Sequence, residues 1–444
     1  MFSDTAAQVK HIIGCHPSRS RMPLPRANRR RPGPLPTTTR PSTLSDATLH
    51  TGDSMNFAFT PEQNAFRADL RTFLRQELGP DFHGDGFDID KDRGFERQFV
   101  KRLAAKGWLT AAWPKEYGGL GLNVIEQAIL NEELHYHRSP HYALTVAGVE
   151  LAGPILMVYG TDEQKSEHLP LIASGERVWA QGFSEPNAGS DLASAQLKAT
   201  IDGDDFVLNG TKIWTSFAHV ADWIFVLART DPDAPKHKGL SFILADMKQP
   251  GVTVQPLIDM AGEHVINQEY FEDVRVPRAN LVGELNRGWY VAAATLDFER
   301  TGIAWYARAR RRLDDLAAYC KTASRYGRRL IETPWIRNRL VERRIELEVS
   351  RYISYRVAFM QSQGLIPNQE ASMAKLFNTD AGQRVVRDGV DILGLDGQRM
   401  GAVAPLHGEM PLYYLNTLPD SIESGSNEIQ RNIIATRGLG LPRV

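Results

Sequence analysis

Apolar positions along this chain recur with a period near 3.6 residues, then near 2, then near 3.6 again. Thr60-Pro61-Glu62-Gln63 reads as a capping box with proline at the first helical position. Phe66, Leu70, Phe73 and Leu74 follow at helical spacing, and Gly79-Pro80 predicts the stop. Further helical patterns over Phe99 to Ala105, Val124 to Tyr136 and Val146 to Tyr159 fill a helical domain spanning 55–177. Over 178–289 the period shortens: Leu197, Ala199 and Ile201 alternate with polar residues, and Asp202-Gly203 predicts a turn. Asn209-Gly210 predicts a hairpin. Strand-like runs follow at Trp223 to Leu227, Leu240 to Leu244, Val252 to Gln255 and Asp273 to Val276. Over 290–444 helix returns, with Val341, Ile345, Val349 and Ile353 on one stripe. This order predicts an α+β protein with a helical, a β and a second helical domain. The Gly118-Gly119-Leu120-Gly121 cluster follows no strand, so it reads as a loop between helices and not as a dinucleotide fingerprint.

Composition narrows the class. With 42% hydrophobic and 24% charged residues, the 444-residue chain reads as globular. A formal net charge of −1 lacks the basic excess that nucleic-acid or membrane-surface binding needs. Cys15 and Cys320 form no disulfide framework or metal cluster, and a reducing cytoplasm is the expected location. No apolar run in the sequence reaches the roughly 18–20 residues of a membrane span. Residues 1–54 differ from the rest. The stretch from Arg26 to Pro41 is rich in Arg, Pro and Thr with almost no acidic or large apolar residues, and a disordered or non-native extension is expected over 1–54, with Met55 the natural beginning. The Arg-rich, acid-poor bias is that of transit peptides, but many prolines interrupt it and no amphipathic stripe is present. His135 and His137, two apart on a helix, read as surface residues and not as a metal pair.

Candidate chemistry concentrates at the helix-to-β boundary. Gln181 to Asp191 (QGFSEPNAGSD) offers hydroxyls, glycines and backbone donors to a polar ligand, and Asn209 to Ser216 (NGTKIWTS) adds an aromatic plane. Each alone is compatible with ordinary structure; together they point to a site. With Gly107-Trp108, Tyr159 to Lys165, Val274 to Pro277, Gly283-Glu284, Gly288-Trp289 and Glu428 to Asn432 in order, residues 55–444 resemble the acyl-CoA dehydrogenase family. The resemblance implies a helical domain, a β-barrel domain and a helical bundle, with FAD as cofactor. It also implies α,β-dehydrogenation of an acyl-CoA to the trans-2-enoyl-CoA, in fatty-acid or sterol side-chain β-oxidation.

Carried over by resemblance, Phe183 and Ser184 hold the flavin ring, Ser190 lies near the pyrophosphate, and Trp214 and Ser216 stand against the ring. Ser426 and Glu428 complete the cofactor set, and Ser424 and Arg300 the substrate set. The family's loop glutamate is replaced by Ser424, so the expected base is Glu299 of Leu296 to Arg300, as in isovaleryl- and long-chain-type members. Glu423 is the rival. The expected partners are the acyl-CoA and an electron-transferring flavoprotein. Ala323 stands where homo-oligomeric members carry an arginine, and Asp391 and Leu395 where they carry glutamine and glycine. A carboxylate near a pyrophosphate is unfavourable. That departure resembles the α2β2 heterotetramers of sterol side-chain breakdown, with a homo-oligomer the alternative. Alternative functions on the same fold are a flavin monooxygenase or oxidase, and a partner subunit without its own flavin.

Overall fold

The computed structural model describes residues 58–79, 82–84, 93–298 and 301–442. The extension expected over 1–54 therefore lies outside the described residues.

The first helix, α1 (Pro61–Leu78), begins with the reciprocal cap read from sequence. The Gln63 N–H donates to Thr60 Oγ1 at 3.2 Å, while Gln63 Oε1 accepts from the Thr60 N–H at 3.0 Å. Asn123 and Glu126 do the same for α3 (Val124–Tyr136), and α2 (Arg93–Ala105) packs Phe99, Val100 and Leu103 beneath α1. The next helix runs as three continuous segments, Tyr142–Thr145, a π turn Val146–Ala152, and Gly153–Tyr159. Trp113 Nε1 donates to the Val149 carbonyl within the π turn at 3.2 Å. Gly153 is required there, because a Cβ would lie 2.0 Å from the Trp113 ring. Against the sequence expectation, Tyr142–Tyr159 is long and apolar enough to cross a membrane by length and composition. Most of that stretch is buried inside the fold, where Ala152, Ile155 and Leu156 share a core with Trp113, Ile172 and the sheet residues Phe225 and Phe242. A last helix, α4 (Asp162–Ala173), leads into the β region.

The strands of the β region are β1 (Trp179–Gly182), β2 (Lys198–Asp202), β3 (Asp205–Ser216), β4 (Trp223–Arg229), β5 (Leu240–Asp246), β6 (Val252–Ile258), β7 (His264–Pro277) and β8 (Leu281–Val282). They form one sheet ordered β6-β7-β3-β2-β4-β5-β8, with β1 parallel to β4. The expected hairpin at Asn209-Gly210 is not a turn. The chain turns instead at Gly203, φ 61°, and β3 continues through Asn209-Gly210, facing a bulge in β7 at Glu272-Asp273. The Asn209 side chain bonds the Asp273 N–H and carboxylate, both at 3.0 Å, which satisfies the groups the bulge takes out of the ladder.

Helices return with α5 (Gly288–Phe298), α6 (Ile303–Thr322), α7 (Pro334–Ser362), α8 (Asn368–Leu393), α9 (Glu409–Asn416) and α10 (Asn427–Ile433). Ile303, Leu316, Leu340, Leu347, Val385 and Met410 form their core. Val341, Ile345 and Val349 on the expected stripe of α7 are exposed, while the opposite face carrying Leu340, Leu347 and Val357 is buried. The glycine cluster at 118–121 is the expected loop, between a 3-10 turn at Lys115–Tyr117 and α3. His135 corrects a sequence reading: it is buried among His141 and Tyr142, and burial holds its imidazole well below its usual pKa. His137 stays partly exposed, 3.5 Å from Glu133. Among the described residues no His, Cys, Asp and Glu group suits a metal ion.

Candidate active site

β1 runs directly into Phe183 and Ser184, and these are fastened to the end of β3 by the Ile213 N–H, which donates to the Ser184 carbonyl at 3.0 Å. Phe183 is buried edge-on to Phe225 and Phe242, with centroids 5.6 and 6.2 Å away. Ser184 is half-buried. At Trp214, β3 slips register against β7, and the residue takes φ 64°. A side chain there costs about 1–3 kcal/mol and persists only because its surroundings impose it. The bulge turns the indole outward, 59% exposed, and leaves Ser216 exposed beside it. An open aromatic plane and two hydroxyls thus share one edge of the sheet. Ser190 is exposed further along the 183–191 loop, next to the Asp191–Lys236 ion pair.

A buried polar network lies behind this edge. Lys212 Nζ spends its three donors on the Phe183 carbonyl at 3.1 Å, Glu185 Oε1 at 2.7 Å and the Leu227 carbonyl at 2.7 Å. Glu185 also accepts from the Gln196 and Leu197 N–H groups, at 2.6 and 2.8 Å. Thr215, flanked by Trp214 and Ser216, points inward and donates to Glu269, while Asn267 Nδ2 donates to the Thr215 carbonyl at 3.0 Å. Burial pushes the Glu269 carboxyl up to about 8, only partly opposed by Thr215 and Lys212. Its Oε1 has no hydrogen-bond partner among the described residues. Burial also pulls Lys212 down, with Glu185 opposing. Sequence reasoning passed over this network, yet it left a signal. Phe206, Leu208 and Lys212 occupy inward positions of β3, and a lysine on a core-facing row needs a buried partner.

The C-terminal loop contributes a second constellation. Ser424 (φ 53°) and Gly425 (φ 80°) are consecutive left-handed residues, and Gln430 Nε2 holds both carbonyls at 3.1 Å. The Ser424 N–H has no partner among the described residues. Ser426 caps α10, its hydroxyl accepting from the Ile429 N–H at 3.4 Å. Glu428 is exposed in the first turn, where backbone N–H and the Ser426 hydroxyl hold its carboxyl below the usual range. Solvent reaches Glu423, yet the protein crowds its carboxyl: burial first, then the Asp420 charge, pushes it up to about 7 against Arg308 and Lys375. Glu299 and Arg300 lie outside the described residues, directly after α5.

On another surface Tyr326 is fully exposed and Leu395 is 87% exposed. Arg325 does not project there: its guanidinium donates to the Ile392 and Leu393 carbonyls at 3.0 and 2.7 Å, closing the end of α8.

The chain's likenesses agree with this layout. Models of the acyl-CoA dehydrogenase N-terminal, middle and C-terminal domains match residues 60–176, 180–274 and 286–439. Acyl-CoA dehydrogenase IpdE1 of Mycobacterium tuberculosis is 38% identical over 389 residues, covering 85% of this chain and 97% of the relative. The Tcur3481-Tcur3483 steroid ACAD superposes with a TM-score of 0.81 at 34% identity, over 88% of this chain and 100% of that one. The ChsE4-ChsE5 complex from Mycobacterium tuberculosis gives 0.80 at 33% identity, with the same coverages. The three domain matches fall in order on the helical, β and helical regions and take in the Trp214 bulge and the Ser424 loop: the chain belongs to the acyl-CoA dehydrogenase family.

Proposed function

We propose that this chain binds FAD at the Ser184–Trp214 edge and removes two hydrogens from the α and β carbons of an acyl-CoA of the lipid or steroid type. The observation that carries the reading is the Trp214 bulge: a strained backbone holding an exposed indole beside Ser184 and Ser216, with a buried network behind it. Such an edge fits a flat heteroaromatic ring that also needs hydrogen bonds along one side. Ser190 would lie toward the pyrophosphate, with Ser426 and Glu428 at the start of α10 completing the cofactor set. Bound FAD supplies the acceptor for the hydride leaving the β-carbon.

The chain's own residues do the rest. The Ser424 N–H, which has no partner among the described residues, is offered to the thioester carbonyl, while Gln430 holds the loop by its carbonyls. A hydrogen bond there stabilises charge developing on the carbonyl oxygen as the α-proton is lost. Glu299 takes that proton, and the adjoining Arg300 belongs to the substrate side. Glu423, raised to about 7 beside the loop, is the rival, with a pKa suited to proton transfer near neutrality. The product is the trans-2-enoyl-CoA, and electrons pass on to an electron-transferring flavoprotein in the cytoplasm. Glu299→Gln tests the assignment: turnover falls by about 10²-fold or more while FAD stays bound. Near-wild-type turnover in Glu299→Gln with none in Glu423→Gln would transfer the role to Glu423.

Assembly follows from the second surface. Ala323 and Asp391 offer no cation to a neighbour's pyrophosphate, Arg325 is committed within the chain, and Tyr326, Leu395 and the outer face of α7 lie uncovered. The Tcur3481-Tcur3483 and ChsE4-ChsE5 structures pair two named chains each. An α2β2 complex with a second acyl-CoA dehydrogenase-like chain fits these features better than a homotetramer. Native mass with flavin quantitation decides: one FAD per chain in a stable homo-oligomer of this chain alone overturns it.

A further inference from the structure

A cavity of about 140 Å³ lies between the first and last domains, walled by α3, the π turn and the loop over residues 109–114. Thr301 and Gln361 line it from the C-terminal side, and Thr301 follows Glu299 by two residues. A cavity of about 150 Å³ suffices for a benzene-sized ring. The lining is largely apolar, with Leu109, Trp113, Leu122 and Met157 prominent. Against that lining α3 presents one amide pair, in which Gln127 Nε2 donates to Asn131 Oδ1 at 3.0 Å across one helical turn. This arrangement leaves Gln127 Oε1 buried without a partner among the described residues. Rotating both amides would bury an NH2 group at that point instead, with two donors unsatisfied in place of one acceptor. The observed arrangement is therefore favoured, and it leaves the Asn131 NH2 group without a protein partner among the described residues.

We infer that the cavity receives the far end of the acyl group, and that Asn131 donates a hydrogen bond to a ketone or hydroxyl oxygen on a ring-sized acyl chain. The inference rests on the acyl-CoA reading above and deepens it. A plain hydrocarbon ring would strip water from the Asn131 amide and put nothing in its place, whereas a ring oxygen restores the bond. Sites built around a polar contact discriminate strongly against ligands that lack it.

The test uses the FAD-loaded complex and two probes, 3-cyclohexylpropanoyl-CoA and 3-(4-oxocyclohexyl)propanoyl-CoA. The wild type is expected to favour the oxo compound by about 10-fold or more in kcat/KM. Asn131→Leu is expected to reduce that preference to about 2-fold or less, through loss on the oxo compound, with an unchanged flavin spectrum. Equal wild-type rates for the two compounds, or a full preference retained by Asn131→Leu, would overturn the inference. Binding, followed by perturbation of the flavin spectrum, separates the two claims. If neither compound is dehydrogenated, the proposed reaction fails, while a binding preference abolished by Asn131→Leu still upholds the cavity's role. No binding preference overturns that role as well.

Discussion

Glu269 gives the sharpest stability prediction, because its carboxyl is fully buried and its neutral form is the favoured one. Facing it are the Thr215 hydroxyl and the Lys212 ammonium from β3, with Glu185 and Arg229 beyond Lys212. Lys212 already gives its three donors to other acceptors and leaves none for Glu269. The folded pKa of about 8 stands above the ordinary 4.5, so the native state keeps a proton that the unfolded chain has lost. The stability this contributes is complete below about pH 4.5 and is lost as pH rises through about 8. Between pH 5 and 8 the loss amounts to about 3–4 kcal/mol. Unfolding entropy for the roughly 390 residues from 55 onward is about 0.8 kcal/mol/K, so the loss corresponds to a fall in Tm of about 4–5 °C. Glu269→Gln keeps an acceptor for Thr215 but cannot ionise. The assay is thermal unfolding of wild type and variant from pH 5 to 8. The variant's absolute Tm is free to move, but its Tm should fall less over that range, by the stated amount. Parallel pH profiles would refute the reasoning and show that Glu269 is ionised in the fold.

Three further outcomes are expected. Trp214→Ala should weaken FAD binding by about 10-fold or more, since a large aromatic contact is lost, and fluorescence titration of the apoprotein with FAD measures it. Lowering pH below about 7 should protonate Glu423 in the folded protein; if Glu423 shapes turnover, Glu423→Gln should remove an inflection near pH 7 from the kcat/KM profile, and an unchanged profile assigns that inflection elsewhere. Deleting residues 1–54 should leave Tm and turnover unchanged, because α1 carries its own complete cap at Thr60 and Gln63; a large drop in Tm would show that the segment docks.

The domain order was legible because period alone separates helix from strand, and capping boxes such as Thr60-Gln63 are local events. Asn209-Gly210 misled for a physical reason. The same pair that favours a two-residue turn also runs on as strand where its asparagine side chain can bond a bulge in the facing strand, and Asp273 of β7 supplies that partner. The segments 183–191 and 209–216 were legible as motifs, but their geometry was not: nothing local in Trp214 announces φ 64°, which the register slip of β3 on β7 imposes. Lys212 on the inward row of β3 hinted at a buried partner, but Glu269 and Asn267 lie on a strand distant in sequence and are not identified until β3 and β7 pair. The outward stripe of α7 was readable as a stripe, though not its direction, because periodicity marks an apolar face without saying which molecule covers it.

Dehydrogenation by this protein is read out by mixing its FAD-loaded form, with its partner chain, anaerobically with an acyl-CoA. The expected result is bleaching of the oxidised flavin's visible absorbance together with a thioester product lighter by two hydrogens, the trans-2-enoyl-CoA. A flavin that stays oxidised across acyl-CoAs that demonstrably bind, or one that yields product only with oxygen consumed, would contradict it.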